Sequence, residues 1–174
     1  MEIQEELRLV HRAKSGEREA LALLWDDITP KLYGYLVNQM RHKDLAEDIC
    51  QETWLKAVQA LGNFKDRGVR FSAWVFAIAR NECRQHWRGD KKEMPLEPAV
   101  DGIDKTNQQS GSDDYLMIET VFAELSAEEQ EIIRLRYLAE LSFKEIAGVL
   151  DVSMVAARVR IHRALAHARV ILNQ

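Results

Sequence analysis

The chain has 174 residues, a formal net charge of −4 and 47% hydrophobic residues, with 30% charged residues to solvate a surface. That length holds one or two domains. Only 3 Pro, 8 Gly and 2 Cys occur, which excludes a collagenous chain, a disulfide scaffold and wholesale disorder. Uncharged apolar stretches fall short of a membrane span. The acidic, amphipathic start MEIQEELRLV does not read as a signal peptide. With two unpaired-looking thiols, the expected compartment is the cytoplasm, with no membrane insertion.

The net charge hides its distribution. Residues 64–92 hold eight Lys and Arg against three acids, and residues 119–151 hold three against eight. Residues 153–174 hold four Arg and no acid. Two separated positive segments therefore each lie beside a negative one, a layout suited to contacts with nucleic acid at two places.

Helical periodicity runs along nearly the whole chain, and no useful period-two run argues for a sheet. Ile3, Leu7 and Val10 make a first stripe, interrupted at Ser15-Gly16. Ala20, Leu21, Leu24, Trp25 and Ile28 make the next. Thr29-Pro30 reads as an N-cap and first helical position, so a helix restarts there or continues with a kink. Leu32, Tyr33, Leu36, Val37 and Met40 carry the pattern to about Arg41. Asp44 with Glu47 is a capping-box variant opening a helix over 44–61. Its core face is Leu45, Ile49, Thr53, Trp54, Ala57, Val58 and Leu61, and Gly62 fits its C′ position. A basic loop, Asn63 to Arg70, precedes a helix from Phe71 to Arg88.

Residues 91–114 lose periodicity and read as a flexible acidic linker. After it, Tyr115, Ile118, Phe122 and Leu125 share a helical face. Ser126 with Glu129 and Ser142 with Glu145 are capping boxes. Helix Phe143–Leu150, a short turn at Asp151-Val152 and a helix Met154–Leu172 capped by Ser153 complete the chain. The expected fold is all-α: a helical domain over 1–90, the linker over 91–114 and a helix-turn-helix domain over 115–174.

Three surfaces carry chemistry. In the last helix Arg158, Arg160, His162 and Arg163 cluster in the first half, away from Ala157, Ile161, Ala164, Leu165, Ala168 and Leu172. That is the layout of a helix that enters a major groove, and the planar Arg fork suits guanine edges and phosphates. On the helix from Phe71, Trp74, Ala77, Asn81, Arg84 and Arg88 share a face at spacings of three and four. Aromatics interleaved with cations there form a stacking platform for unpaired bases. Phe64, Phe71 and Phe76 fit the core better than the platform, whereas Trp74 and Trp87 fit either role equally. On the helix 44–61, Asp48, Gln51, Glu52 and Leu55 lie opposite the core stripe, a face suited to a basic helical partner or simply to water.

The segments LAEDICQETWLKAVQALGNF (45–64), RFSAWVFAIARNECRQHWR (70–88) and LSAEEQEIIRLRYLAELSFKEIAGVLDVS (125–153) resemble bacterial sigma factors of the sigma-70 family, in particular the small extracytoplasmic-function group. The resemblance implies a subunit that binds core RNA polymerase, directs it to promoters and promotes DNA melting. It places Asp48, Gln51, Glu52 and Leu55 against the polymerase. It places Lys56, Phe71, Trp74, Asn81, Arg84 and Arg88 at the single-stranded −10 element, with Asn81 lining a pocket for an extruded base. It places Arg158, Arg160, His162 and Arg163 on the duplex −35 element. Where the family usually carries a small residue followed by Thr at the start of the last helix, this chain has Val155-Ala156, which removes a hydroxyl able to reach a phosphate. The resemblance also allows an anti-sigma partner.

No metal site or cofactor is expected. Cys83 and His86 share a face but make only two ligands, and no phosphate-binding loop or nucleophile motif occurs, so no enzyme is expected. Two other readings fit parts of the chain: a stand-alone helix-turn-helix regulator, and a titrating mimic that binds partners without directing transcription.

Overall fold

The computed structural model describes residues 1–66, 68–90 and 112–173, and among them every regular element is helical. Helices α1 (Ile3–Lys14), α2 (Arg18–Met40), α3 (Lys43–Gln59) and α4 (Phe71–Asp90) form the first unit. Helices α5 (Ser112–Glu124), α6 (Ala127–Tyr137), α7 (Phe143–Leu150) and α8 (Met154–Leu172) form the second. The expected linker lies outside the described residues over 91–111, and α5 starts at Ser112, inside its expected end.

The first unit is a bundle in which α2 packs on α1 and α3, and α3 on α4. Leu24, Ile28, Leu32, Tyr35 and Leu36 of α2 meet Ile49, Trp54 and Ala57 of α3 and Phe71, Val75, Phe76 and Ala79 of α4. Helix α2 runs unbroken through Pro30. The ring removes a bond to the Asp26 carbonyl, and both residues face solvent, where the lost donor costs least. Tyr35, outside the expected stripe, is wholly buried and meets Phe76 edge-on at 5.5 Å.

Several expectations need correction. Ile3 and Val58 are exposed, while Leu9, Ala46 and Cys50 are buried, so the stripes of α1 and α3 are rotated from the expected ones. Helix α3 starts before Asp44. His42, in an extended conformation, is its N-cap, and its Nδ1 accepts from the Leu45 backbone at 3.4 Å. Gly62 lies within a 3₁₀ turn, Leu61–Asn63, rather than closing α3. In α5, Ile118 is exposed and Val121 takes the inward position beside Leu125.

The second unit follows its capping signals closely. Ser126 with Glu129 and Ser142 with Glu145 each form a reciprocal capping box. Asp151 adopts a left-handed conformation (φ 55°) that ends α7, and the Ser153 hydroxyl accepts from the Ala156 backbone at 3.1 Å to start α8. Ala157, Ile161 and Ala164 are the inward side of α8, packed on α6 and α7.

The two units pack on each other. Helix α7 lies against α4, and one apolar cluster joins α1–α4 with α6, α7 and α8.

Candidate nucleic-acid interface

Helix α4 is anchored at both faces. At its start, the Glu6 carboxylate of α1 accepts from the Ser72 backbone nitrogen at 2.5 Å and from the Ser72 hydroxyl at 3.3 Å. Burial pushes the Glu6 carboxyl above its ordinary value, and the Ser72 donors offset only part of that. Phe71 is fully buried, and its ring meets Phe64 edge-on at 5.2 Å. Phe71 is therefore a core residue and not a surface for the −10 strand, which corrects the expectation drawn from the resemblance. Trp74 is half-buried, 5.4 Å from Phe71 and 5.6 Å from Phe64, with part of its ring open to solvent. It covers the outer side of the aromatic cluster and stays partly accessible.

Beyond Trp74 the outer face of α4 carries half-buried Ala77 and exposed Asn81, Arg84 and Arg88. Trp87 is exposed too, but lies on another side of the helix. Lys56 does not extend this face freely. Its ammonium donates to Glu82 of α4 at 2.5 Å and lies 3.3 Å from Glu52 one turn earlier, and both acids raise its pKa. Glu52, assigned to polymerase, is thereby coupled to Lys56, assigned to DNA.

The acidic face of α3 stands as expected: Asp48, Gln51 and Glu52 are exposed, and Leu55 is 52% exposed. In the second unit, α7 and α8 form the expected helix-turn-helix, with Arg158, Arg160, His162 and Arg163 all exposed. The Arg158 guanidinium sits over the Phe143 ring at 5.3 Å, which restricts it to the α7 side of α8. His167 lies 3.0 Å from Glu129 and ties the second half of α8 to α6.

Contacts between the units were not expected from the sequence. The Arg70 guanidinium donates to Glu145 through Nε at 2.7 Å and Nη2 at 3.1 Å, and the Arg70 backbone nitrogen adds a bond at 3.2 Å. Burial alone would push the Glu145 carboxyl up. Arg70, with the Ser142 backbone and hydroxyl, outweighs it and holds the carboxyl down to about 2. Arg80 of α4 pairs with Glu131 of α6 at 2.7 Å, and Lys31 of α2 with Glu140 at 2.5 Å. Arg134 of α6 is buried, and donates to Asn38 at 2.6 Å and Gln39 at 2.7 Å on α2. Burial pulls its pKa down to about 10, so it stays a cation at neutral pH. Basic groups of the first unit thus meet acids of the second, and one buried cation bridges back.

Among the described residues no cluster of His, Cys, Asp or Glu could hold a metal ion. No helix there is long and apolar enough to cross a membrane.

Two family models match the chain: Sigma-70 region 2 over residues 24–93 and Sigma-70 region 4 over residues 115–167. The chain belongs to the sigma-70 family. Within it, the similar proteins include several extracytoplasmic-function sigma factors. SigD of Mycobacterium tuberculosis is 30% identical, covering 90% of this chain and 79% of the relative. BldN of Streptomyces coelicolor is 29% identical over 91% of this chain, which spans 62% of that longer protein. Among solved structures, CnrH in complex with the cytosolic domain of CnrY has a TM-score of 0.74 at 25% identity, covering 97% of each chain. The sigma factor RpoE of Bartonella quintana, in complex with the anti-sigma factor NepR, shares the fold with a TM-score of 0.69 at 24% identity, covering 88% of this chain and 96% of that one. Sigma factors are transcription initiation factors without catalytic activity, and this chain is one of them.

Proposed function

We propose that this sigma factor binds core RNA polymerase in the cytoplasm, directs it to specific promoters and opens the duplex there. Asp48, Gln51, Glu52 and Leu55 form the polymerase contact. Trp74, Asn81, Arg84 and Arg88 take the single-stranded −10 element, with Lys56 at its margin. Arg158, Arg160, His162 and Arg163 meet the duplex −35 element. The observation that carries this reading is the line Trp74–Asn81–Arg84–Arg88 on α4, a half-open aromatic followed by exposed amide and guanidinium groups. It suits extruded bases and their phosphates, and it shares the chain with a basic helix-turn-helix. Melting then needs no catalytic group, because stacking and a base pocket offset part of the few kcal/mol lost on unpairing.

The packed units are a resting arrangement. Helices in contact lie about 8–10 Å apart, so α8, reached from α4 through α7, is about 20 Å away. Elements named −10 and −35 lie roughly 25 base pairs apart, about 85 Å at 3.4 Å per step. Both cannot be read from these packed units. Promoter binding separates them, and the Arg70–Glu145, Arg80–Glu131, Lys31–Glu140 and Arg134 contacts are the ones that break. A protein partner that holds the units together, an anti-sigma factor, would keep the factor inactive. The end-to-end likeness to CnrH captured with CnrY supports that idea.

Co-purification tests the polymerase contact. The full chain is expected to bind core polymerase, and Asp48→Lys to lose that binding while remaining folded. A folded Asp48→Lys variant that binds normally would remove the acidic face from the interface.

A further inference from the structure

The start of α8 carries a feature that the proposed Arg contacts do not use. After the Ser153 cap come Met154 and Val155, 55% and 68% exposed, and Val159 is 41% exposed one turn later. Val155 is the most exposed of the large apolar residues among the described ones. Spaced by four, Val155 and Val159 stand in line on the side of α8 opposite buried Ala157, Ile161 and Ala164. Arg158 and His162 border this line on one side and Arg163 on the other, and Met154–Leu172 contains no acid.

An apolar line bordered by cations is suited to a surface that is anionic at its edges and apolar at isolated points. A DNA major groove has that character. Its rims are phosphates, and on its floor the one apolar group is the 5-methyl of thymine, since the other edges present hydrogen-bond donors and acceptors. A Val side chain makes no hydrogen bond, so at this position it distinguishes bases only through that methyl. The same property accounts for Val155-Ala156 replacing a hydroxyl-bearing pair: a phosphate contact is given up and an apolar contact is gained.

We infer that Val155 and Val159 are specificity-determining residues that read thymine methyl groups in the −35 duplex, with Arg158 and Arg163 on either side of them. The inference rests on the function proposed above and deepens it. A −35 element bound by this factor contains thymine opposite the first two turns of α8.

The test changes the DNA first and the protein second. Holoenzyme reconstituted from the full chain and core RNA polymerase selects promoters from random-sequence duplexes. Each −35 thymine is then replaced singly by deoxyuridine, which removes only the methyl. Binding is expected to weaken about fourfold at one or two positions, the factor that corresponds to roughly 0.8 kcal/mol for one buried methyl. Val155→Ala or Val159→Ala should bind thymine and uracil alike at the matching position. Unchanged affinity at every thymine, or an undiminished uracil penalty in both variants, would overturn the assignment. So would folded variants that no longer assemble with core polymerase, because the line would then be a protein contact. Holoenzyme that selects no promoter at all would bring down the underlying function instead.

Discussion

Glu145 closes the capping box of α7 and is at the same time the counter-ion of Arg70. One carboxylate oxygen accepts from the Ser142 backbone at 2.8 Å, and the other takes Arg70 Nε at 2.7 Å. The start of the first helix of the DNA-reading motif is thereby bonded to the loop that leads into α4.

The two roles separate by substitution. Arg70→Ala removes the interunit pair and leaves the cap, whereas Ser142→Ala weakens the cap and leaves the pair. The Glu145 side chain is 4% exposed and that of Arg70 18%. Loss of Arg70 should therefore cost about 2 kcal/mol, less than the ~3–5 kcal/mol of a fully buried pair because water reaches the guanidinium. It should also raise the radius of gyration in small-angle scattering. Ser142→Ala should cost about 1 kcal/mol with no change of radius. Equal radii for both variants would show that Arg70 does not hold the units together.

Glu145 and Glu6 predict opposite responses to pH. The Glu145 carboxyl is depressed from 4.5 to about 2 on folding. Its contribution, about 3 kcal/mol, is complete above pH ~4.5 and is lost as pH falls towards 2. The Glu6 carboxyl is raised on folding. Its contribution is present below its unfolded value and is lost as pH rises through the folded one. Thermal midpoints followed against pH should show Glu145→Gln abolishing the acid-side loss. Glu6→Gln should stabilise at pH 7, with a gain that fades near pH 4. A Glu6→Gln gain that is the same at both pH values would mean the carboxyl is not titrating in its buried site.

Strand capture predicts that Asn81→Ala and Trp74→Ala keep polymerase binding and lose open-complex formation, read by permanganate reactivity in the −10 region. A pre-melted bubble should rescue much of the Asn81→Ala defect, because the cost of opening has been removed. Trp74 packs on Phe64 and Phe71, so Trp74→Ala should also lower the thermal midpoint. An Asn81→Ala defect of equal size on bubble and duplex would place Asn81 outside strand capture.

On the acidic face, Asp48→Lys is a cleaner probe than Glu52→Lys. Glu52 lies 3.3 Å from Lys56, so reversing it sets two cations one turn apart and disturbs the pairing of Lys56 with α4. Asp48→Lys should shift stability by no more than about 0.5 kcal/mol, whereas Glu52→Lys should also alter −10 capture. Identical open-complex defects in the two variants, at matched polymerase occupancy, would show that the Lys56 link is not used.

The second unit was legible because its boundaries are written in local chemistry. Ser126, Ser142 and Ser153 cap helices within three residues of themselves, and α7 and α8 match the expected ranges. The first unit was less so. Val58 and Ile3 obey helical spacing yet face solvent, because the choice of inward face is made by the partner helices. The faces on α3, α4 and α8 follow from helical spacing, whereas Phe71 and Lys56, placed at the −10 strand only by the resemblance, are respectively buried and paired with Glu82. Charge segregation was visible as blocks along the chain, basic over 64–92 and acidic over 119–151. That Arg70 and Arg80 of one block pair with Glu145 and Glu131 of the other is long-range geometry, which no local pattern contains.

Run-off transcription by core polymerase with the full chain, on promoters the holoenzyme itself selects, decides whether this chain initiates transcription. Discrete, promoter-dependent transcripts that need the factor and vanish with Asp48→Lys are expected. Transcripts that are independent of the factor, or tight promoter binding by the factor alone with no transcript when core polymerase is added, would contradict that role.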